Sequence, residues 1–63
     1  MKLYLKEIRN QKKMSIRVLA KKADIGRASI ERIERGNTDP RIGTLCKLAK
    51  ALDVPVTALF SCD

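Results

Sequence analysis

Hydrophobic residues recur along most of the chain at intervals of three and four positions, the spacing that places them on one face of an α-helix. The segments with this pattern are residues 3–13, 16–23, 27–35 and 42–52. A fifth, short helix is expected to bring Ala58, Leu59 and Phe60 back to the core. The pattern therefore predicts an all-α fold, a compact bundle of five short helices.

Residue types between these segments fit helix boundaries. Ser15 is a good N-cap for the second helix, because its hydroxyl can accept a hydrogen bond from a first-turn amide. Asp24 tolerates the left-handed conformation that a helix C-terminus often needs, although less well than glycine. Gly26 can begin the third helix and Gly36 can end it, and residues 37–40 form a loop.

The apolar content is aliphatic. Of the 63 residues, 44% are hydrophobic, but Tyr4 and Phe60 are the only aromatic ones. This composition favours short, well-packed helices over a β-sandwich. A chain of this length buries only about 60% of the surface that its unfolded form exposes. We therefore expect one domain over residues 1–63, without a separate substrate domain or a deep cofactor cleft.

The net charge of +7 is confined to one part of the chain. Residues 1–35 hold 11 basic and 4 acidic side chains, whereas residues 36–63 hold 3 of each. A one-sided basic field implies a polyanionic partner, with nucleic acid favoured over an anionic membrane. No segment approaches the length of a membrane span, and the N-terminus lacks the apolar stretch of a signal peptide. We expect a cytoplasmic protein that does not bind a membrane.

Catalysis and metal binding have little support in the sequence. The chain contains no histidine, so Ser15, Ser29 and Ser61 have no imidazole base to activate them. Cys46 and Cys62 are too few for a disulfide scaffold or a thiolate zinc site. We expect two reduced thiols, Cys46 being partly buried, and neither enzymatic activity nor a cofactor.

The second and third helices are predicted to form a tight angular pair around Asp24. Ala20 must be small if the third helix is to cross close over the second, and Ile30 and Ile33 would lock the two together. This is the arrangement of a helix-turn-helix unit, in which the second of the two helices enters the DNA major groove. The side chains left pointing outward are Arg27, Ala28, Glu31, Arg32 and Arg35.

Two segments, MSIRVLAKKADIGRASIERIERG and DPRIGTLCKLAKALDVPVTALF, resemble the phage-repressor and Cro-type (XRE-like) helix-turn-helix domains. The family motifs, in chain order, are matched by Leu19 and Ala20, by Ile30, Ile33, Glu34 and Gly36, by Pro40, and by Leu45, Leu48, Ala49 and Leu52. The chain departs from the family at three positions, with Ile16 in place of Gln, Asp24 in place of Gly, and Gly26 in place of Ser or Thr.

The resemblance implies a lambda-repressor-like fold, with the helix-turn-helix over residues 16–35. It further implies sequence-specific binding to double-stranded DNA by a small transcriptional regulator, a repressor in our interpretation, with residues 27–35 in the major groove. The alternative is an antitoxin-like or adaptor module whose main partner is another protein.

The resemblance also implies roles for individual residues. The base-reading positions are Arg27, Ala28, Glu31 and Arg32. An arginine fork can bond both major-groove acceptors of guanine, whereas Glu31 either accepts from cytosine or orients a neighbouring arginine. The positions near DNA phosphates are Arg17, Ser29, Arg35, Asn37 and Arg41. Arg9 and Glu34 match a pair that joins the first helix to the third.

A single small domain makes a limited interface with DNA. Members of the family often bind a palindromic operator as a symmetric homodimer. We therefore expect the same here, with half-sites about 34 Å apart. Val54, Val56 and Phe60 are candidate dimer contacts, and the alternative is that they only complete the core.

Overall fold

The computed structural model describes residues 1–36 and 38–62, which form four α-helices, a 3-10 turn and a two-stranded sheet. The helices are α1 (Leu5–Gln11), α2 (Ile16–Ala23), α3 (Arg27–Glu34) and α4 (Ile42–Leu52). The 3-10 turn covers Val56–Ala58, and the strands are β1 (Lys2–Leu3) and β2 (Phe60–Ser61). The strands are antiparallel, with Leu3 opposite Phe60. No helix in the described ranges is long and apolar enough to cross a membrane.

The predicted bounds of α2 and α4 are confirmed, and α3 ends one residue earlier than expected. Ser15 caps α2 as predicted, since its hydroxyl oxygen accepts a hydrogen bond from the Val18 amide at 3.1 Å. Asp24 adopts the left-handed conformation with φ 57°, and Gly36 has φ 76°. Local sequence therefore sets the ends of these helices.

The prediction of five helices is wrong at both ends of the chain. The first helix, predicted over residues 3–13, runs only over Leu5–Gln11; Leu3 lies in β1, and Phe60 lies in the strand that pairs with it. The expected fifth helix is a single 3-10 turn at Val56–Ala58, in which Ala58 is exposed. The physical reason is a contact between distant segments, anchored by the Tyr4 amide, which donates to the Leu59 carbonyl at 2.8 Å.

The core is entirely aliphatic. Within the described ranges, no polar or charged residue is fully buried. Helix α2 is central because it packs against both α3 and α4. The buried residues are Leu5, Leu19, Ala20, Ala23, Ile30, Ile33, Leu45, Leu48, Ala49, Leu52 and Leu59.

Two further expectations about burial are wrong. Ile42 is the first hydrophobic residue of the segment 42–52, whose three- and four-residue spacing predicts that it faces the core together with Leu45, but it is 62% exposed. It is the first residue of α4, one turn before Leu45 enters the core. Cys46 was expected to be partly buried, but its free thiol lies on the exposed face of the same helix. Spacing along a helix identifies its apolar face. It does not show at which residue other elements begin to pack against that face.

Candidate nucleic-acid interface

The turn between α2 and α3 is built from three residues. Asp24 leaves α2 in the left-handed conformation, and the Ile25 amide donates to the Ala20 carbonyl at 3.1 Å. Gly26 then adopts an extended conformation and begins α3 without a side-chain cap. Ala20 is only 9% exposed, so a larger side chain there would collide with its neighbours. The turn holds α3 at a fixed angle to α2.

Helix α3 has one buried face and one strongly basic face. Ile30 and Ile33 are 0% and 4% exposed and fix the helix onto the core. The exposed predicted site residues on α3 and at its C-cap are Arg27, Ala28, Ser29, Arg32 and Arg35. No described carboxylate forms an ion pair with any of these three arginines. Their guanidinium groups are therefore free to bind an anion.

Arg9 and Glu34 are brought together in a two-pronged ion pair. Arg9 Nε donates to Glu34 Oε2 at 2.7 Å, and Arg9 Nη2 donates to Glu34 Oε1 at 3.2 Å. The two side chains are 12% and 8% exposed, so solvent screens the pair only weakly. The contact joins α1 to the C-terminal end of α3.

Arg9 makes a third contact that the sequence did not predict. Its Nη1 donates to the Met14 carbonyl at 2.9 Å, which ties the segment between α1 and α2 to the same guanidinium. No sequence signal could have identified Met14 for this role, because every residue carries a carbonyl. One side chain thus connects α1, the segment before α2 and the end of α3.

A shallow depression of about 380 Å³ lies between α3 and the start of α4. It brings together three predicted site residues, Ser29, Arg32 and Arg41. Thr38 and Thr44 add hydroxyl groups that sequence reasoning missed, although polar residues flanking a helix start are a usable signal. Guanidinium groups, hydroxyls and the unpaired amides at a helix start are the donors that bind phosphate oxygens.

Glu31 lies apart from this depression. It is half-buried and lines a second concavity of about 270 Å³, together with Lys6, Ile16, Glu34 and Arg35. Its carboxylate is therefore close to α1 and the start of α2. Lys6 is a basic residue beside the predicted site that the sequence analysis did not single out.

The remaining predicted residues are scattered. Arg17 is exposed on the first turn of α2 and lines neither of these concavities. Asn37 lies outside the described residues. Val54, Val56 and Phe60 are half-buried and pack against the edge of the core.

Comparison with known proteins agrees with this geometry. A sequence model of the family described as Helix-turn-helix matches residues 5–59. The HTH-type transcriptional regulator SutR of Escherichia coli (strain K12) is 35% identical over 57 residues, which cover 90% of this chain and 32% of SutR. The uncharacterized HTH-type transcriptional regulator y4dL of Sinorhizobium fredii (strain NBRC 101917 / NGR234) is 36% identical over 52 residues, which cover 82% of this chain and 26% of y4dL.

The chain thus spans a third or less of the length of these two relatives. Within that span the match includes α2, the turn and α3, and the family match covers most of the chain. At the level of the family, the chain belongs to the XRE-type helix-turn-helix proteins, which are DNA-binding transcriptional regulators.

Proposed function

We propose that this domain binds double-stranded DNA sequence-specifically, with α3 in the major groove, and that it acts as a repressor. The observation that carries the proposal is the exposed face of α3, where Arg27, Arg32 and Arg35 stand without ion-pair partners among the described carboxylates. The opposite face is held by two buried isoleucines, so the arginines project from a fixed helix. The helix backbone therefore loses little conformational entropy on binding, while each exposed arginine side chain still loses rotamer freedom.

Base reading is assigned to Arg27, Ala28, Glu31 and Arg32. Arg27 and Arg32 are five residues apart, about 7.5 Å along the helix axis, so they reach different base pairs in a groove about 12 Å wide. Ala28 is small enough to contact a thymine methyl group. Glu31 has two open roles, acceptance from cytosine or orientation of Arg35, and its position beside Arg35 favours the second.

Phosphate binding is assigned to a separate group of exposed residues. Ser29 and Arg41 line the depression at the start of α4, and Arg32 reaches it from the base-reading face. Arg35, which lines the concavity that contains Glu31, would contact the DNA backbone there. Arg17 would contact the DNA backbone from the first turn of α2. Asn37 completes the group in the proposal. These contacts would hold the register of α3 in the groove.

We propose a homodimer on a palindromic operator because one copy makes only a short interface with DNA. Helix α3 has 8 residues and offers few base contacts, so a second copy would supply the rest of the specificity. Val54, Val56 and Phe60 are the proposed dimer contacts. Repression is part of the proposal because a bound dimer can block transcription where its operator overlaps a promoter.

Selection of bound sequences from a random duplex pool at a stated salt concentration tests the proposal. We expect a palindromic consensus. The Arg27→Ala/Arg32→Ala variant should lose the enrichment, while Lys12→Ala/Lys13→Ala, which removes the same charge from the end of α1, should keep it. Absence of enrichment even at low salt would instead favour an adaptor whose main partner is a protein.

A further inference from the structure

A second basic concavity lies at the junction of α2 and α4. Its volume is about 410 Å³, and its lining residues are Lys22, Ala23, Lys47, Lys50 and Ala51. We name it the α2–α4 depression. It shares no lining residue with the depression beside α3 or with the concavity that contains Glu31. Nothing in the proposed DNA contacts uses it.

The three lysines of the α2–α4 depression are exposed, and none forms an ion pair with a described carboxylate. Lys22 and Lys50 lie in the last turns of α2 and α4, where a cation interacts favourably with the helix dipole. The helix dipole is a sufficient explanation for Lys22 and for Lys50, each taken separately. It does not explain Lys47, which lies in the middle of α4, or the convergence of all three on one concavity.

The floor of the α2–α4 depression is apolar. Ala23 is 6% exposed and Ala51 is half-buried, so the lining between the three lysines consists of small methyl groups. A lysine ammonium is a compact point charge that pairs with carboxylate and phosphate alike, without the bidentate geometry that an arginine offers to phosphate. The lining contains neither the arginine forks nor the aromatic rings that favour phosphate and base contacts.

We propose that the α2–α4 depression binds an acidic segment of a partner protein, in which carboxylates flank an apolar side chain. The carboxylates pair with Lys22, Lys47 and Lys50, and the apolar side chain rests on Ala23 and Ala51. Because the lining is separate from that of the α3 side, a segment bound there leaves the proposed DNA contacts uncovered. The inference does not depend on the operator or on repression.

A synthetic peptide with leucine between glutamates serves as the probe, and binding is followed through backbone amide NMR shifts. We expect the shifts to centre on the C-terminal half of α2 and on α4. In the Lys22→Gln/Lys47→Gln/Lys50→Gln variant, the dissociation constant should rise by about tenfold or more. The matched control is Lys6→Gln/Lys12→Gln/Lys13→Gln, which removes the same charge near α1 and should change it by less than about threefold.

Three results would overturn the proposal. The first is an equal loss of peptide affinity in both triple variants, which would indicate only the general basic field. The second is a set of shifts centred on α3. The third is failure of the peptide to bind while the Lys22→Gln/Lys47→Gln/Lys50→Gln variant weakens binding to random duplex, which would assign the lysines to DNA. Thermal melting of each variant establishes that it folds, as expected for exposed substitutions.

Discussion

At the scale of single residues, the chain uses aspartate where a glycine is the freer choice. Asp24 and Asp53 both end helices in the left-handed conformation, at φ 57° and 59°. A Cβ atom makes that region less favourable than it is for glycine, although aspartate tolerates it better than most residues do. Each carboxylate also stands at the negative end of its helix dipole, which is unfavourable. Aspartate at these two positions therefore makes the fold less stable than glycine would.

Asp24→Gly is expected to stabilise the fold. The relief of strain exceeds the extra entropy of glycine in the unfolded chain, and the net gain is about 0.5 kcal/mol. The melting temperature should rise by about 2–4 °C. Asp24→Ala is the control, because it removes the carboxylate but keeps the Cβ atom. An increase for Ala equal to that for Gly would show that the charge, not the backbone, sets the cost.

Arg9 is the residue on which most of the polar structure converges, since it binds both Glu34 and the Met14 carbonyl. Glu34→Ala should lower the unfolding free energy by about 1–3 kcal/mol, because it leaves a partly buried guanidinium without its carboxylate. Arg9→Ala should cost at least as much. Urea unfolding measures both.

Arg9→Lys tests the geometry of the pair. A single ammonium cannot reproduce the three donors that Arg9 uses, so we expect Lys to recover less than half of the lost stability. Glu7→Ala, an exposed carboxylate on the same helix, is the control and should change stability by less than about 0.5 kcal/mol. Unchanged melting in both the Arg9→Ala and Glu34→Ala variants would rule out an energetic role for the contact.

At the scale of elements, the helices that carry the site were the predictable part. The bounds of α2 follow from local spacing and from its caps, Ser15 and Asp24, which act within one turn, and the bounds of α4 follow from local spacing. Strands β1 and β2 could not be predicted, because each has two residues and is defined only by pairing with the other. The depression beside α3 was missed for the same reason, since Thr38 and Thr44 meet Arg32 only after folding.

Arg27 on α3 and Arg41 at the start of α4 are predicted to contribute differently to DNA binding. Arg27→Ala should cost about 1–3 kcal/mol on the selected operator and much less on random duplex, because a bidentate base contact is specific. Arg41→Ala should weaken binding to both duplexes alike and reduce the salt slope by about 1, because a phosphate contact carries no sequence information. Fluorescence anisotropy over a salt series measures both. Equal losses for Arg27→Ala on the two duplexes would make that residue a phosphate contact.

At the scale of the whole molecule, the charge asymmetry corresponds to a division of labour among the helices. The basic part of the chain, residues 1–35, contains α1, α2 and all of α3. The neutral half contributes α4 and the 3-10 turn, and its basic residues Arg41, Lys47 and Lys50 line two separate depressions. The excess positive charge thus lies in the helices that are expected to face a polyanion, whereas the few basic residues of the neutral part line two separate depressions.

Dimer formation is tested at this scale through the 3-10 turn. Val56→Glu should weaken binding to a palindromic operator by about tenfold or more, because it places a charge in the proposed apolar contact. Binding to an isolated half-site should not change. Thr57→Glu introduces the same charge at the adjacent exposed residue and is the control. A similar loss in both variants would point to repulsion from DNA instead of a lost dimer contact.

The pairing of β1 with β2 has a consequence for the order of folding. Lys2 meets Ser61, so this contact closes nearly the whole described chain into one loop, whereas the α2–α3 contacts span only a short stretch of chain. Loop-closure entropy delays distant contacts relative to local ones. We expect the helix-turn-helix to consolidate first and the small sheet to close last. Amides of the strands should then exchange with solvent sooner than those of α2, through openings that leave α3 in place.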